Sequence, residues 1–208
     1  MENRKLKMVS SGTARCSKTI ILFSIFQFLF SSCTNPSKEA SLQKPYFDLT
    51  AFFSGQITQL EKDSMIVVKT SAINTNTDEH TMPWADWKRE FALFIASDIN
   101  KTAFIGKYVV DTVLNPGGKT GELTVRYSAT DSSLRTKLME VTWLLPEKNV
   151  KQIHIINRSC NFLSTTHEEL FYLPMKAYMI RSSQDMKFFS GTEYSLMGQI
   201  KSKEKNYF

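Results

Sequence analysis

Cysteine, histidine, glycine and proline are all scarce in this chain of 208 residues. It has three Cys, three His, eight Gly and six Pro. The few glycines and prolines exclude collagen-like and low-complexity polymers, and no cysteine–histidine cluster has the spacing of a structural zinc site. A hydrophobic fraction of 42% and an aromatic fraction of 12% exclude an intrinsically disordered chain. The composition therefore predicts one packed domain together with any targeting segment.

Recognisable catalytic motifs are missing as well. The sequence contains no G-x-S-x-G, no H-E-x-x-H, no P-loop and no dinucleotide fingerprint. His167, Glu168 and Glu169 are metal-ligating residue types in a row, but neighbours on a strand point to opposite faces and would not converge on one ion. We therefore expect a protein that is not an enzyme, with no catalytic residue, no metal and no cofactor.

The first 32 residues are typical of a bacterial secretory leader. Five basic residues and one acidic residue accompany an apolar run at 19–30 (TIILFSIFQFLF), and two serines follow the run. The run has 12 residues, whereas a helix needs about 20 apolar residues to cross a bilayer. We therefore expect export of the chain and no stable membrane-spanning helix in this segment.

Cys33 directly follows this leader. The segment 29–33 (LFSSC) resembles the lipobox of bacterial lipoproteins, in which small residues precede a cysteine. The resemblance implies cleavage just before Cys33 and acylation of that residue, with chains such as palmitate, so that it holds the protein in the lipid bilayer. Two or three acyl chains hold a protein far more firmly than one. The alternative is an ordinary secretory signal followed by a chance cysteine.

The excess of basic residues could suggest nucleic-acid binding. The formal net charge is +6, from 26 Lys+Arg against 20 Asp+Glu, but the leader carries +4 of it. Downstream of the leader, 21 basic and 19 acidic residues remain, and they are scattered rather than aligned on one element. We therefore expect no nucleic-acid partner.

Three segments follow from these patterns. They are a signal peptide over 1–32, the lipidated cysteine with a flexible polar tether over 33–44, and a single domain over 45–208. The tether has no apolar pattern. It also lacks the acidic run that sends some lipoproteins to the cell surface. We therefore expect an exported, membrane-anchored lipoprotein on the periplasmic side of the outer membrane.

Two stretches near the start of the domain have helical periodicity. Apolar residues recur every three or four positions over 45–60 and again over about 83–97. In the second stretch Trp84, Trp87 and Phe91 form an aromatic stripe. Such a stripe is usually part of a core, but we name these three as candidate ligand-facing residues. The opposite, solvated side of this helix is expected to carry its charged residues: Asp86, Lys88, Arg89 and Glu90.

Beyond residue 103 the pattern changes to that of strands. Apolar and polar residues alternate in short segments separated by turn sequences such as NPGG, TDSS and PEKN, and short turns imply antiparallel neighbours. With a strand over 64–73 and a polar turn over 74–80, this predicts an α+β fold. We expect a curved antiparallel sheet, a half-barrel-like meander of about six to eight strands, with two N-terminal helices packed on one face. Cys160 is expected to be buried in one strand.

Two further segments, YFDLTAFFSGQI at 46–57 and WKREFALFIASDINKTAFIGKY at 87–108, carry a wider resemblance. Together with the lipobox they make the chain similar to small lipoproteins common in the Bacteroidota. The resemblance implies a location in the cell envelope but no activity. In architecture alone, the predicted domain also resembles the half-barrel domains of envelope lipoprotein carriers.

These observations favour a membrane-anchored envelope lipoprotein that acts as a non-enzymatic binding module. Its partner would be an envelope protein or a glycan. The alternative, suggested by 15 Phe and 9 Met, is a carrier that holds a hydrophobic ligand in a cavity between the sheet and the helices. An enzyme with an unrecognised site is the third alternative.

Overall fold

A computed structural model describes residues 44–74, 76–82, 85–116 and 121–203. The expected leader, Cys33, most of the tether and Trp84 lie outside these residues. Along the described chain come one long helix, a hairpin, two short helices with a 3₁₀ turn, and seven consecutive strands: α1 (Leu49–Lys62), β1 (Ile66–Ile73), β2 (Asn76–Met82), α2 (Trp87–Glu90), α3 (Ala92–Ala96), the 3₁₀ turn (Thr102–Phe104), β3 (Tyr108–Asn115), β4 (Glu122–Ala129), β5 (Thr136–Leu144), β6 (Asn149–Cys160), β7 (Ser164–Leu173), β8 (Ala177–Met186) and β9 (Thr192–Lys201).

These nine strands form one open antiparallel sheet in the order β2-β1-β9-β8-β7-β6-β5-β4-β3. Strands β3 to β9 follow one another as a meander, because each connection joins neighbours. The β1–β2 hairpin comes first in the chain but pairs with the last strand, with Val67 opposite Ile200. The predicted antiparallel sheet is confirmed, with nine strands rather than six to eight.

The two faces of the sheet differ because side chains alternate along each strand. On β6, Ile153 and Ile155 are fully buried, whereas His154 between them lies on the opposite face. We call the buried side the core face and the other side the outer face. Buried residues continue the core face across the neighbouring strands: Val67, Tyr127, Met139, Val141, Leu170, Tyr172, Tyr178, Ile180 and Ile200.

An aromatic cluster joins α1 to the core face. Phe53 of α1 is fully buried, and its ring centroid lies 5.0 Å from those of Phe91 and Tyr172 and 5.1 Å from that of Phe94. The Tyr172 hydroxyl also donates to Gln56 Oε1 of α1 at 2.7 Å. Aromatic pairs of this kind contribute about 0.5–1.5 kcal/mol each beyond their buried area. The helix is therefore held on the sheet by interlocking rings.

Helix α1 begins four residues later than its apolar periodicity predicts. The Asp48 side chain accepts a hydrogen bond from the Ala51 backbone N–H at 2.9 Å, which is the geometry of a helix N-cap. Lys44 pairs with the same carboxylate at 2.6 Å. The cap fixes the first helical residue at Leu49, and the prediction that the helix starts at residue 45 is wrong.

The second helical stretch is shorter than predicted and is interrupted. Asp86 caps α2 by accepting from the Arg89 backbone N–H at 3.1 Å, and Phe91 separates α2 from α3 with φ −96° and ψ 8°. That backbone conformation lies in the bridge region, outside the regular helical range. The prediction of one continuous helix is therefore wrong over the described residues 87–96. No helix in the described part of the chain is long and apolar enough to cross a membrane.

The polar segment predicted as a turn over 74–80 is mostly strand β2. Every residue of β2 is exposed, and its backbone pairs with β1, with His80 opposite Lys69. Since β2 lies at the edge of the sheet and has no buried side, its side chains show no apolar alternation. The predicted turn is wrong, because backbone pairing at an exposed edge leaves no hydrophobic pattern in a sequence.

Cys160 is exposed, so the prediction of its burial is wrong. The buried residues of β6 are Ile153, Ile155 and Asn157, and Cys160 lies beyond them at the end of the strand. Its thiol is 3.5 Å from Thr165 Oγ1. The hydrogen bond with Thr165 and the nearby Arg158 guanidinium lower the pKa of the thiol. The buried part of β6 therefore ends at Asn157, before the chain reaches Cys160.

Candidate functional site

Two of the three candidate ligand-facing residues lie in the aromatic core. Trp87 and Phe91 are 2% and 0% exposed, and their stacked ring centroids are 5.8 Å apart. Phe91 also contacts Phe53 and Tyr178. Trp87 borders a shallow cavity of about 300 Å³ at the end of α1. The contacts of both rings are those of core packing, and Trp84 lies outside the described residues.

A buried carboxylate fastens α2 to the sheet beside these rings. The Glu90 side chain is 8% exposed, its Oε1 lies 2.5 Å from Lys69 Nζ, and its Oε2 accepts a hydrogen bond from the Tyr178 hydroxyl. Burial, together with the adjacent Glu90 carboxylate, raises the pKa of Tyr178. A buried charge is tolerated only when it has such partners. The expectation that Glu90 lies on the solvated side of its helix is therefore wrong.

The outer face carries a row of charged side chains that crosses five strands. Arg126 Nε lies 2.7 Å from Glu140 Oε1, and the other Glu140 oxygen lies 3.0 Å from His154 Nδ1. His154 Nε2 lies 3.1 Å from Glu169 Oε1, and Arg181 Nη1 lies 3.6 Å from Glu169 Oε2. Cross-strand register brings these side chains together, because Glu140 is opposite both Arg126 and His154. We call the five residues the outer-face ladder.

His154 is fixed at the centre of the outer-face ladder. Its ring stacks on Phe171 with a centroid distance of 4.1 Å and an interplanar angle of 6°. Both ring nitrogens lie within hydrogen-bond distance of a carboxylate oxygen. Burial acts to raise the pKa of Glu140, but hydrogen bonds from His154 and Arg126 outweigh it and lower that pKa.

A cleft of about 460 Å³ opens on the outer face at the Arg181 end of the ladder. Glu169 and Arg181 line it together with His167 and Glu193. Ser183 and Ser195, whose side chains lie on the outer face, also line it, together with the apolar residues Ala72 and Ile156. The volume lies within the range of about 300–1,000 Å³ that is typical of ligand sites. The cleft therefore offers charges of both signs and hydroxyl groups in one concave surface.

One end of the sheet carries exposed apolar side chains. The turns at 130–135, 161–163 and 187–191 connect β4 to β5, β6 to β7 and β8 to β9, and so lie at the same end, which we call the loop end. A cavity of about 520 Å³ between the second and third of these turns is lined by apolar residues: Phe162, Leu163, Met186, Phe188 and Phe189. The loop end is thus an apolar surface distinct from the cleft of the outer face, which carries charged side chains.

His167, Glu168 and Glu169 point to alternate faces of β7. His167 and Glu169 line the outer cleft, whereas Glu168 pairs with Arg135 at 2.5 Å and accepts from Asn157 Nδ2 at 3.1 Å. Within the described residues, no group of three or more His, Cys, Asp or Glu side chains is arranged to hold a metal ion.

Comparison with known proteins identifies no relative of this chain. No protein-family model, curated protein or solved structure matches the chain. The functional conclusion therefore depends on the residues themselves, on their positions in the sheet and on the chemistry that those positions allow.

Proposed function

We propose that the protein is an exported lipoprotein, anchored in the envelope membrane through acylated Cys33, whose folded domain binds another envelope component. The observation that carries the binding role is the outer-face cleft of about 460 Å³. Its charged side chains, its serine hydroxyl groups and its open rim suit a ligand that presents both hydrogen-bond donors and acceptors. An envelope glycan or a polar loop of an envelope protein has this chemistry.

The charges of the cleft are held in place before any ligand arrives. Glu169 is fixed between His154 on one side and Arg181 on the other, at 3.1 and 3.6 Å. Groups that are already oriented lose little conformational freedom on binding, which favours affinity. The ladder therefore supports a recognition role for the cleft, and we assign the domain no catalytic step and no cofactor.

A carrier of a hydrophobic ligand is the weaker candidate. It needs a hollow space between the sheet and the helices, where Phe53, Phe91 and Phe94 are fully buried in contact with Tyr172. This packing favours a filled core over a ligand cavity. We also propose that the sheet curves like a half-barrel around the N-terminal helices, which would fill its concave side.

Site-specific photocrosslinking in intact bacterial envelopes tests the binding role of the cleft. A benzoylphenylalanine residue in place of Ser195 should form a discrete adduct, whose mass identifies a glycan or a protein. Arg181→Ala should reduce the adduct roughly tenfold, since truncating an arginine anchor costs about 1–2 kcal/mol.

Arg126→Ala is the matched control for that experiment. Arg126 ends the other side of the ladder and pairs with Glu140, but it does not line the cleft. We expect it to leave the adduct at position 195 unchanged. Loss of the adduct in both arginine variants, or an equal adduct from Thr124 on β4, would refute a specific site in the cleft.

A further inference from the structure

The loop end exposes three aromatic rings to solvent, although aromatic residues elsewhere in the domain are packed in the core. Phe162, Phe188 and Phe189 are 78%, 72% and 77% exposed, whereas Phe53, Phe91 and Phe94 are fully buried. Leu163 and Met186 add further exposed apolar surface at the same place. Exposed patches of this kind mark surfaces that contact proteins or membranes.

These rings form one surface, because two turns hold them side by side. The Lys187 backbone N–H donates to the Leu163 carbonyl at 3.0 Å, which ties the turn 187–191 to the turn 161–163. Lys187 Nζ lies 4.6 Å from the centroid of the Phe162 ring. The turn that presents Phe188 and Phe189 is thus held beside the one that presents Phe162, and a cationic group lies among the rings.

Cationic side chains border the apolar surface on its β5 and β6 side. Arg135, Lys137 and Arg158 line a cavity of about 790 Å³ that also includes Cys160, the residue where β6 ends. Lys137 donates to the backbone carbonyls of Ser132 and Leu134, whereas Arg135 pairs with Glu168. Asp131 lies in the turn 130–135, and Asp185 and Glu193 flank the turn 187–191, so acidic side chains are also present at this end. Lys137 and Arg158 border the rings on the β5 and β6 side, and Lys187 lies among them.

We infer that the loop end docks on the surface of a lipid bilayer that contains anionic headgroups. Aromatic rings on turns can insert at the boundary between headgroups and acyl chains, while lysine and arginine side chains contact the phosphates. The combination of protruding rings with a cationic border is complementary to such a surface in both polarity and charge. A folded protein partner would not require the cations beside the rings.

The point at which the chain enters the domain also bears on this surface, and this step rests on the proposed anchoring at Cys33. The described chain begins at Lys44, and the Tyr46 ring packs on Tyr108 at 5.6 Å. Tyr108 begins β3 opposite Ala129, which directly precedes the turn 130–135 of the loop end. Ten residues, 34–43, separate Cys33 from Lys44, so this stretch of chain spans at most about 40 Å. The chain that leads to the proposed anchor therefore enters the domain at the loop end.

Photocrosslinking to lipid tests the docking. The full chain, reconstituted in vesicles, carries benzoylphenylalanine in place of Phe188 or, as the matched control, of Leu114. Leu114 is also exposed, at 59%, but it lies near the opposite end of the sheet on β3. We expect lipid adducts at position 188 at least tenfold above those at position 114, because burying one ring favours docking roughly tenfold.

The second part of the experiment varies the charge of the lipid headgroups and removes the neighbouring cationic side chains. We expect vesicles of pure phosphatidylcholine to give roughly fivefold fewer adducts at position 188 than vesicles containing phosphatidylglycerol. Combining Lys137→Ala with Arg158→Ala should remove most of this difference. An adduct yield independent of headgroup charge would overturn the role given to the cations.

Three outcomes decide between the occupants. Equal adducts at positions 188 and 114, or none at 188, overturn the docking. A protein adduct in place of lipid at position 188 in intact envelopes assigns the surface to a protein partner and also overturns it. The mass of the Cys33 residue in the same samples keeps the two claims apart, because lipid adducts at position 188 on a chain with unacylated Cys33 support docking and contradict the anchor.

Discussion

Replacing Gly198 of β9 with alanine is expected to destabilise the domain by about 3 kcal/mol or more, because the added methyl group overlaps a buried ring. A Cβ atom at Gly198 would lie 2.2 Å from Cε1 and 2.3 Å from Cζ of Tyr178. Tyr178 stands directly opposite Gly198 on β8 and cannot move aside, since its ring contacts Phe91 and its hydroxyl donates to Glu90. Urea denaturation gives the change in the free energy of unfolding.

Gly55→Ala is the matched control for this prediction. Gly55 is exposed on α1, and a Cβ atom added there would meet no heavy atom within 4 Å, so alanine should stabilise the helix by about 0.5–1 kcal/mol. Gly198→Ala combined with Tyr178→Leu should cost at least about 1 kcal/mol less than the sum of the two single changes. A Gly198→Ala domain as stable as the parent would show that β8 and β9 do not pair in this register.

Replacing Phe53 with alanine is expected to lower the free energy of unfolding by about 3–5 kcal/mol, which is the cost of truncating a fully packed phenylalanine. The centroid of the Phe53 ring lies 5.0–5.3 Å from the ring centroids of its four aromatic neighbours, Phe52, Phe91, Phe94 and Tyr172. No smaller side chain can fill that space, so a cavity remains in the core. Thermal or urea unfolding measures the loss.

Phe189→Ala provides the comparison, because Phe189 is 77% exposed at the loop end. We expect it to change stability by no more than about 0.5 kcal/mol. Phe53→Ala and Phe189→Ala thus separate an aromatic residue that holds the fold together from one that is available for contact. Should Phe53→Ala prove as mild as Phe189→Ala, the interior would be loosely packed and the carrier hypothesis would gain support.

Most of the sheet can be predicted from the alternation of apolar and polar residues. Strand β6 illustrates why: Ile153 and Ile155 must be buried, so the intervening residues take the outer face. Strand β2 escapes prediction because its residues are all exposed. The start of α1 and the break at Phe91 depend on capping and backbone geometry that apolar periodicity does not report.

The candidate sites are harder to predict, for a different physical reason. The ladder joins residues from five strands that only cross-strand register brings together, so no spacing in the chain reveals that Arg126 and Arg181 belong to one row. The loop end does leave a signal. Phe162, Phe188 and Phe189 lie in turns, where an apolar side chain cannot pack into the core. Apolar residues at such positions indicate a surface that contacts another molecule.

Attachment to the membrane through Cys33 is the central claim of the proposed function, because it assigns the domain and its cleft to the cell envelope. Intact-protein mass spectrometry of the chain extracted from bacterial membranes measures it directly. We predict a chain that begins at Cys33 and carries a diacylglycerol group, and a Cys33→Ser variant that keeps its leader and carries no lipid. A wild-type chain with an unmodified Cys33, whether uncut or cut at another residue, would contradict the anchoring.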